Sequence, residues 1–368
     1  MPQLAAGIIG AGKIAQAHLK ALQRLECARP AAVSSRDRSK GEALCASYGI
    51  PRWYDDYHRM LKEEQLDVVH NCTPNTLHYQ INKDIILSGR HVLSEKPLTC
   101  SARESEELAE LALQHGVTAG VNFVYRHYPA VASIRDLTLS GELGDLWAIH
   151  GSYLQDWLAD ARTYDWRTES ALAGPSRAIA DIGSHWLDMA MFLFGQKIVR
   201  VCADTAIFIP ERWKPAFSTA ELHVSGSWVK VDTEDFAILI LEFEKGARGC
   251  VTLSQVCHGR RSGLSFTIEG SRGSAAWSHE RPQEIDLQPP PVKPAKVKSR
   301  SQTGIGSHPD MSINEFAQAA MVEDFYSSIL TGKPGLHASF DQAWQVDRVI
   351  EAALASTREG KWIRVPAD

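Results

Sequence analysis

The chain has 368 residues, 44% of them apolar and 23% charged, with a net charge of −5. That length is too great for one typical domain and comfortable for two, and the balance is that of a globular protein. The lack of a basic field argues against nucleic acid as a partner, and no apolar run approaches the about 18–20 residues that span a bilayer. The opening stretch MPQLAAGIIGAGKIA has no basic n-region and is soon broken by glycines, so it does not read as a signal peptide. Seven scattered cysteines without a C-x-x-C pair predict reduced thiols and a cytoplasmic location.

LAAGII reads as a short apolar strand and KIAQAHLKALQRL as a helix. Between them, Gly10-Ala11-Gly12-Lys13-Ile14-Ala15 fits G-x-G-x-x-[GA]. Gly10 allows a tight turn, Gly12 lets a pyrophosphate approach the backbone, and Ala15 keeps helix and strand close. The helix start at Lys13 and Ile14 then offers free N–H groups to the phosphates. The next units alternate in the same way. PAAVSS is a strand and DRSKGEALCASYG a helix stopped by Gly49; LDVVHNCTP is a strand and NTLHYQINKDIILSG a helix from Pro74 to Gly89. HVLSEKP is a strand, SARESEELAELALQHG a helix with Ser101 as N-cap and Glu104 completing a capping box, and VTAGVNFVYR a further strand. Residues 1–127 are therefore expected to form a doubly wound parallel sheet that binds a dinucleotide.

Ligands bind at the carboxyl ends of such strands. Thr73-Pro74-Asn75, with His78 just beyond, Glu95-Lys96-Pro97, and Asn122 to Arg126 all fall there. At the end of the second strand, where an acid would favour NAD, the chain has Ser35-Arg36, with Asp37 one or two places late. A hydroxyl followed by Arg suits a 2′-phosphate, although Arg also stacks on adenine without one. The cofactor is thus NAD or NADP, tilted toward NADP. A strand-end lysine such as Lys96 ordinarily snorkels to water. Here Pro97 biases Lys96 to an extended conformation, the topology aims it at the cofactor crevice, and Glu95 can hold its ammonium.

In DIGSHWLDMAMFLFG, residues 181–195, Asp181, His185 and Asp188 fall at i, i+4 and i+7. They share one face of a helix of about 3.6 residues per turn. The remaining positions are apolar, so much of the girth should be buried, where charges must be paired or used. Three ligands strung along one helix rarely converge on one ion, so no metal is expected.

From about residue 128 the alternation stops. GDLWAIHGSYLQDW, IVRVCADTAIF, DTEDFAILILEFEKGARGCVTLSQV and GLSFTIEGSRGSAAW read as strands, with EKGARG a hairpin and Gly270–Gly273 another turn. Residues 279–310, rich in Pro, Lys and Ser, should be a long exposed loop. Two amphipathic helices follow, INEFAQAAMVEDFYSSILTG and FDQAWQVDRVIEAALASTREG.

GAGKIA, TPNTLH, SEKPL and DIGSHWLD, in this order and at these distances, resemble the Gfo/Idh/MocA oxidoreductases (glucose-fructose oxidoreductase, inositol dehydrogenase and relatives). The resemblance covers essentially the whole chain. It implies an N-terminal Rossmann domain and, over 128–368, a substrate-binding and oligomerisation α/β domain with a large, mostly antiparallel open sheet. The C-terminal helices are expected to pack back on the first domain. That sheet often builds subunit interfaces, so a homo-oligomer, dimer or tetramer, is expected. The resemblance also implies an NAD(P)-dependent dehydrogenase in which Lys96, Asp181 and His185 surround the ring hydroxyl of a carbohydrate.

The chemistry agrees. Oxidising a secondary alcohol sends a hydride from carbon and a proton from oxygen. His185 is the natural proton acceptor near neutral pH. Lys96 can stabilise developing alkoxide charge, Asp181 can orient either partner, and Asp188 is structural. Substrate contacts are expected from Tyr153, Gln155, Trp157, Trp166, Arg167 and Arg177, with Arg126 at its strand end. Many relatives carry G-G-G-x-L before D-x-G-x-H. This chain has Ala173-Gly174-Pro175-Ser176-Arg177-Ala178-Ile179-Ala180 instead, which with Y-L-Q-D-W looks like a subgroup that includes levoglucosan dehydrogenase. Two alternatives stay open. One is an NAD-dependent glycosidase that oxidises a sugar transiently at C3 and eliminates the aglycone. The other is a non-catalytic sugar or dinucleotide sensor, against which the retained Lys96, Asp181 and His185 argue.

Overall fold

The computed structural model describes residues 3–216, 225–288, 295–298 and 311–366. In chain order the first elements are β1 (Leu4–Ile9), α1 (Lys13–Leu22), β2 (Ala28–Ser34), α2 (Arg38–Tyr48), β3 (Arg52–Tyr54), α3 (Tyr57–Glu63), β4 (Val68–Asn71), α4 (His78–Leu87), β5 (His91–Ser94), α5 (Ala102–His115) and β6 (Ala119–Val121). Then come α6 (Pro129–Leu139), β7 (Leu146–Leu154), α7 (Ser170–Ala173), α8 (Ser184–Phe194), β8 (Ile198–Ala206), β9 (Glu211–Pro215) and β10 (Gly226–Lys230). The rest are β11 (Phe236–Phe243), β12 (Arg248–Ser254), β13 (Gly263–Gly270), β14 (Gly273–Ser278), β15 (Glu284–Gln288), β16 (Ala295–Lys298), α9 (Ile313–Thr331), β17 (Ala338–Ser339), α10 (Phe340–Glu359) and β18 (Ile363–Arg364). Two compact units result, one of Met1–Tyr128 with Gln302–Trp344, the other of Pro129–Ser301 with Gln345–Asp368.

The first unit is a Rossmann fold. Its sheet runs β17-β6-β5-β4-β1-β2-β3, parallel except for β17. The order of its parallel strands reverses between β1 and β4, the point where such sheets bind ligands. Apolar strands such as β1, buried at every position but the first, suit a sheet covered on both faces. Asp37 caps α2 by accepting from the Lys40 N–H, and Gly49 ends it in the left-handed conformation. The C-terminal helix α9 belongs to this unit as well. Its Met321, Val322, Phe325 and Tyr326 join Ile8, Leu19, Leu22, Val33 and Leu93 in one core.

Three expectations need correction. Ser101 precedes α5 but makes no side-chain cap; the Thr99 hydroxyl organises the turn instead, donating to the Ser101 carbonyl and meeting Ser105 Oγ. The strand expected over 117–126 stops at Val121 and gives way to a 3-10 turn over Val124–His127. The loop expected over 279–310 contains β15 and β16, because the alternation around Ile285 continues the sheet edge. Residues 289–294 and 299–310 of that stretch lie outside the described residues.

The second unit is built on a nine-stranded sheet, β16-β15-β14-β13-β7-β12-β11-β8-β18, in which only the β7–β12 pair is parallel. The EKGARG hairpin joins β11 to β12, with Gly246 at φ +90°. Trp186, Leu187, Met189, Ala190 and Leu193 of α8 are fully enclosed, each large side chain worth about 1.5–3 kcal/mol of burial. Trp186 also donates its indole N–H to the Ser265 carbonyl of β13 at 3.1 Å. Among the described residues, no helix is long and apolar enough to cross a membrane. No group of three or more His, Cys, Asp or Glu among them could hold a metal ion.

Asp324 of α9 binds the chain around β6 and β17 together. Its Oδ2 accepts from the His337 backbone N–H at 2.7 Å, from His337 Nδ1 at 3.0 Å and from His127 Nε2 at 3.2 Å. Burial pushes its pKa up, but the bonds from His127 and His337 outweigh this and hold it well below the usual carboxylate range. A depressed carboxylate stabilises the fold above its unfolded pKa of about 3.9 and loses that contribution as pH falls below it. Asp324→Asn should cost about 2–4 kcal/mol at pH 7 and less near pH 3, read from urea midpoints at the two pH values.

Candidate active site

The glycine loop of the first unit is shaped by backbone. Gly10 has φ +103°, and a Cβ there would lie 2.5 Å from the Cys72 carbonyl oxygen. Gly12 is the N-cap of α1, with no side-chain cap and no acid in the first turn; a Cβ on it would meet nothing within 4 Å among the described residues. Lys13 is exposed, Ile14 half-buried and Ala15 enclosed. The first N–H groups of α1 are thus left to an anion, which fits the pyrophosphate of a dinucleotide.

After β2, Ser35 Oγ accepts from the Asp37 N–H at 3.2 Å, and Arg36 is exposed. The Asp37 carboxylate is engaged by the Lys40 N–H and, at 3.1 Å, by Lys40 Nζ. After β4, Thr73 donates its N–H and hydroxyl to Asn71 Oδ1, and Pro74 leads to buried Asn75. His78, expected at the cofactor surface, is instead wholly enclosed. Its ring lies 2.8 Å from both the Pro97 and Thr73 carbonyls, so it fastens the TPN loop to the EKP loop from inside.

Glu95 and Asn122 are also interior. Glu95 Oε1 meets His18 Nε2 at 2.9 Å and Asn122 Nδ2 at 2.6 Å. Burial pushes the Glu95 pKa up; the His18 and Asn122 hydrogen bonds, with the charges of His18 and Lys96, bring it below its ordinary value. Lys96 is half-buried and follows directly. Arg126 is buried and donates to the Leu336 carbonyl and to Gln342 Oε1 at 2.8 Å.

The second unit gathers most of the expected substrate residues around Asp181 and His185. Residues 178–183 form a π-helical turn running into α8, a distortion frequent at functional sites. Asp181 sits in that turn, and His185 is 9% exposed one turn later. The Tyr153 ring lies 6.4 Å from that of His185. Gln155 Nε2 donates to the Tyr153 hydroxyl and Gln155 Oε1 accepts from Trp157 Nε1 at 2.8 Å. Arg167 lies over the rings of Trp166 and Trp157, at 4.5 and 5.9 Å, and its Nε reaches Asp181 Oδ1 at 3.3 Å. Burial works to lower the Arg167 pKa, but the Asp181 and Asp165 carboxylates raise it overall. Asp188 is enclosed.

Arg177, expected at the substrate, is placed elsewhere. It is 1% exposed, and its guanidinium faces Thr233, Gln255 Oε1 and, at 3.7 Å, Asp235. Sequence reasoning missed Gln255, whose Nε2 donates to Asp181 Oδ2 at 2.7 Å. A glutamine just past an apolar strand was its only signal.

Residues 4–123 match a model of the GFO/IDH/MocA family described as an oxidoreductase family with an NAD-binding Rossmann fold, and residues 131–276 match the family's C-terminal domain. The chain belongs to the GFO/IDH/MocA oxidoreductases. Levoglucosan dehydrogenase of Pseudarthrobacter phenanthrenivorans is 27% identical over 391 aligned residues, covering 100% of this chain and 99% of that protein. An oxidoreductase domain protein from Kribbella flavida superposes with a TM-score of 0.92 at 27% identity, over 100% of both chains. Levoglucosan dehydrogenase solved with NADH and L-sorbose superposes with a TM-score of 0.88 at 26% identity, again over 100% of both.

The two loop glycines can be separated by mutation. Gly12→Ala should change stability by no more than about 1 kcal/mol while weakening NADH binding at least about tenfold, because its methyl obstructs only an approaching phosphate. Gly10→Ala should lower the melting temperature as well, since both its φ and its contact with Cys72 forbid a side chain. Thermal melts and NADH fluorescence titrations check both.

Proposed function

We propose that this protein is an NAD(P)-dependent dehydrogenase that oxidises a secondary ring hydroxyl of a sugar, anhydrosugar or cyclitol. The observation that carries this reading is the cluster around Asp181 and His185. Trp157 and Trp166 offer flat faces to sugar C–H groups, while Tyr153, Gln155 and Arg167 offer donors and acceptors to hydroxyls. The relationship to levoglucosan dehydrogenase over full length supports the same substrate class.

A bound nicotinamide supplies the hydride acceptor. The residues that would hold the dinucleotide are Gly10, Gly12, Lys13 and Ile14 at the pyrophosphate, Ser35 and Arg36 at the adenosine ribose, and Thr73, Pro74 and Asn75 beside the chain's switch point. His185 takes the hydroxyl proton as general base. Lys96 is assigned the part of a hydrogen-bond donor that stabilises negative charge developing on the substrate oxygen. Asp181, held by Arg167 and Gln255, orients the substrate and His185.

Purified protein mixed with NAD or NADP and a panel of sugars, anhydrosugars, cyclitols and glycosides tests the reading. Absorbance at about 340 nm should rise with at least one free carbohydrate. Glycoside cleavage at flat absorbance would replace the dehydrogenase with the oxidation–elimination glycosidase. With the substrate in hand, His185→Ala should lower kcat by about 10²–10⁴ and Lys96→Ala by about 10²–10³. An unchanged rate in either variant removes that residue from its role.

Cofactor choice follows from the second strand. Asp37 is committed to capping α2, which leaves Arg36 as the charged side chain at the expected ribose position. We infer a preference for NADP. Arg36→Ala should raise the KM for NADP at least about tenfold and leave that for NAD within about twofold; equal effects on both would show that Arg36 only stacks on adenine.

A further inference from the structure

A line of polar side chains crosses the interior of the first unit and ends beside Lys96. The Tyr326 hydroxyl of α9 lies 2.9 Å from His70 Nε2 on β4. His70 Nδ1 lies 2.7 Å from His18 Nδ1 on α1, and His18 Nε2 lies 2.9 Å from Glu95 Oε1. Tyr326, His70 and His18 are fully enclosed, and Glu95 is 8% exposed. Four polar groups in an otherwise apolar core are costly unless each is satisfied, and here each has its partner.

We propose that His18 and His70 are positioning residues for the reaction: with Tyr326 they form a buried hydrogen-bonded chain that holds Glu95 as a fixed carboxylate next to Lys96. This rests on the reading that Lys96 acts on the reacting hydroxyl.

The direction of the chain follows from its chemistry. An ionised carboxylate only accepts, so His18 Nε2 must carry the proton it shares with Glu95. The proton position on one imidazole nitrogen is set by the partner of the other. Glu95 therefore sets the proton on His18, His70 supports the other nitrogen of His18, and Tyr326, able to donate or accept, closes the chain behind His70. Burial, and the nearby His18, push the His70 pKa down, so His70 is neutral and has one donor nitrogen. Two arrangements satisfy this. In one, Tyr326 donates to His70, His70 to neutral His18, and His18 to Glu95. In the other, an imidazolium at His18 donates to both His70 and Glu95, and His70 donates to Tyr326. Both place the same proton between His18 and Glu95.

The carboxylate is held from a second side by Asn122 Nδ2, at 2.6 Å from the same Oε1, and Asn122 is itself 3.2 Å from Gln318 Oε1 of α9. Its other oxygen, Oε2, lies 3.4 Å from the backbone nitrogen of Lys96. With Oε1 pinned from two directions, the negative charge has one position relative to Lys96. That charge supplies the fixed field in which the Lys96 side chain is presented.

Kinetics of Glu95→Gln and Tyr326→Phe, with NADH binding followed by fluorescence, test the proposal on the full chain. Tyr326 stands at the end of the chain opposite Glu95, so its variant reports on the chain. Glu95→Gln should lower kcat by about 10–100-fold and Tyr326→Phe by about threefold or more, each with sugar KM and NADH affinity within about twofold. The second readout is the 15N spectrum of the histidine-labelled wild-type protein, where His18 should show a protonated Nε2. A bare Nε2 on His18 would overturn the proposal even if a variant failed to fold. If Lys96→Ala loses turnover while Glu95→Gln keeps it, this inference fails and the reading of Lys96 stands. If Lys96→Ala keeps turnover, the reading itself fails and takes this inference with it.

Discussion

A carboxylate buried at the end of a strand is the constraint on which the first unit depends. Glu95 leaves the centre of the parallel sheet, where water cannot solvate it, so the fold must bring donors to it. They come from elements distant in sequence: His18 on α1 and Asn122 just past β6. Each of these needs a partner in turn, and His70 on β4 with Tyr326 and Gln318 on α9 provide them. One charge thereby fastens α1, β4, β5, β6 and α9 in a single register. Apolar burial holds these elements together but has no direction. The hydrogen bonds supply the direction, and they do so under the loops that carry the glycines, Thr73-Pro74-Asn75 and Lys96.

The second unit solves a similar problem with different residues. The chain enters the π-helical turn through Ser176-Arg177-Ala178-Ile179, whose leading N–H groups have no helical partner. Glu234 meets them: its Oε1 accepts from the Ser176 hydroxyl at 2.6 Å, the Arg177 N–H at 3.0 Å and the Ile179 N–H at 2.9 Å. This gives a physical reason for Ser176-Arg177-Ala178-Ile179 at the start of that turn. A segment anchored by a buried carboxylate needs a hydroxyl and ordered backbone rather than glycine freedom. Arg177 belongs to the same anchor through Thr233 and Asp235, which is why its charge turns inward.

These two anchors mark what could be read from the sequence. The Rossmann alternation was legible because its strands are short apolar-rich runs and its helices are bounded by caps and glycines. The grouping of Tyr153, Gln155, Trp157, Trp166 and Arg167 was legible because aromatic and polar types cluster in one short stretch. His18, His70, Tyr326, Gln255 and Glu234 were not. Glu234 is one acid in the polar run Asp232-Thr233-Glu234-Asp235 and the others are single polar residues in or beside apolar runs, and the role of each depends on a partner at a sequence distance that no local period reports. The same limit explains the misplacement of His78 and Arg177. Their residue types suit ligand binding, but burial, which decides, is a property of the assembled core. Strand ends failed for a different reason: β6 stops where the chain turns into a 3-10 segment that apolar composition alone does not distinguish from continued strand.

The arrangement around Asp181 also divides the labour of the proposed reaction. Its Oδ2 accepts from Gln255 at 2.7 Å and its Oδ1 from Arg167 at 3.3 Å. Protonating the carboxylate would weaken both contacts, one of them to a permanent cation that is half-buried and stacked on two tryptophans. In the proposed reaction Asp181 therefore suits a fixed reference for orientation better than a site that receives a proton. Proton acceptance is assigned there to His185, an imidazole whose ordinary pKa suits transfer near neutral pH. Reversing the two roles would need Asp181 released from Arg167, and the stacking of that arginine on Trp166 and Trp157 opposes its release.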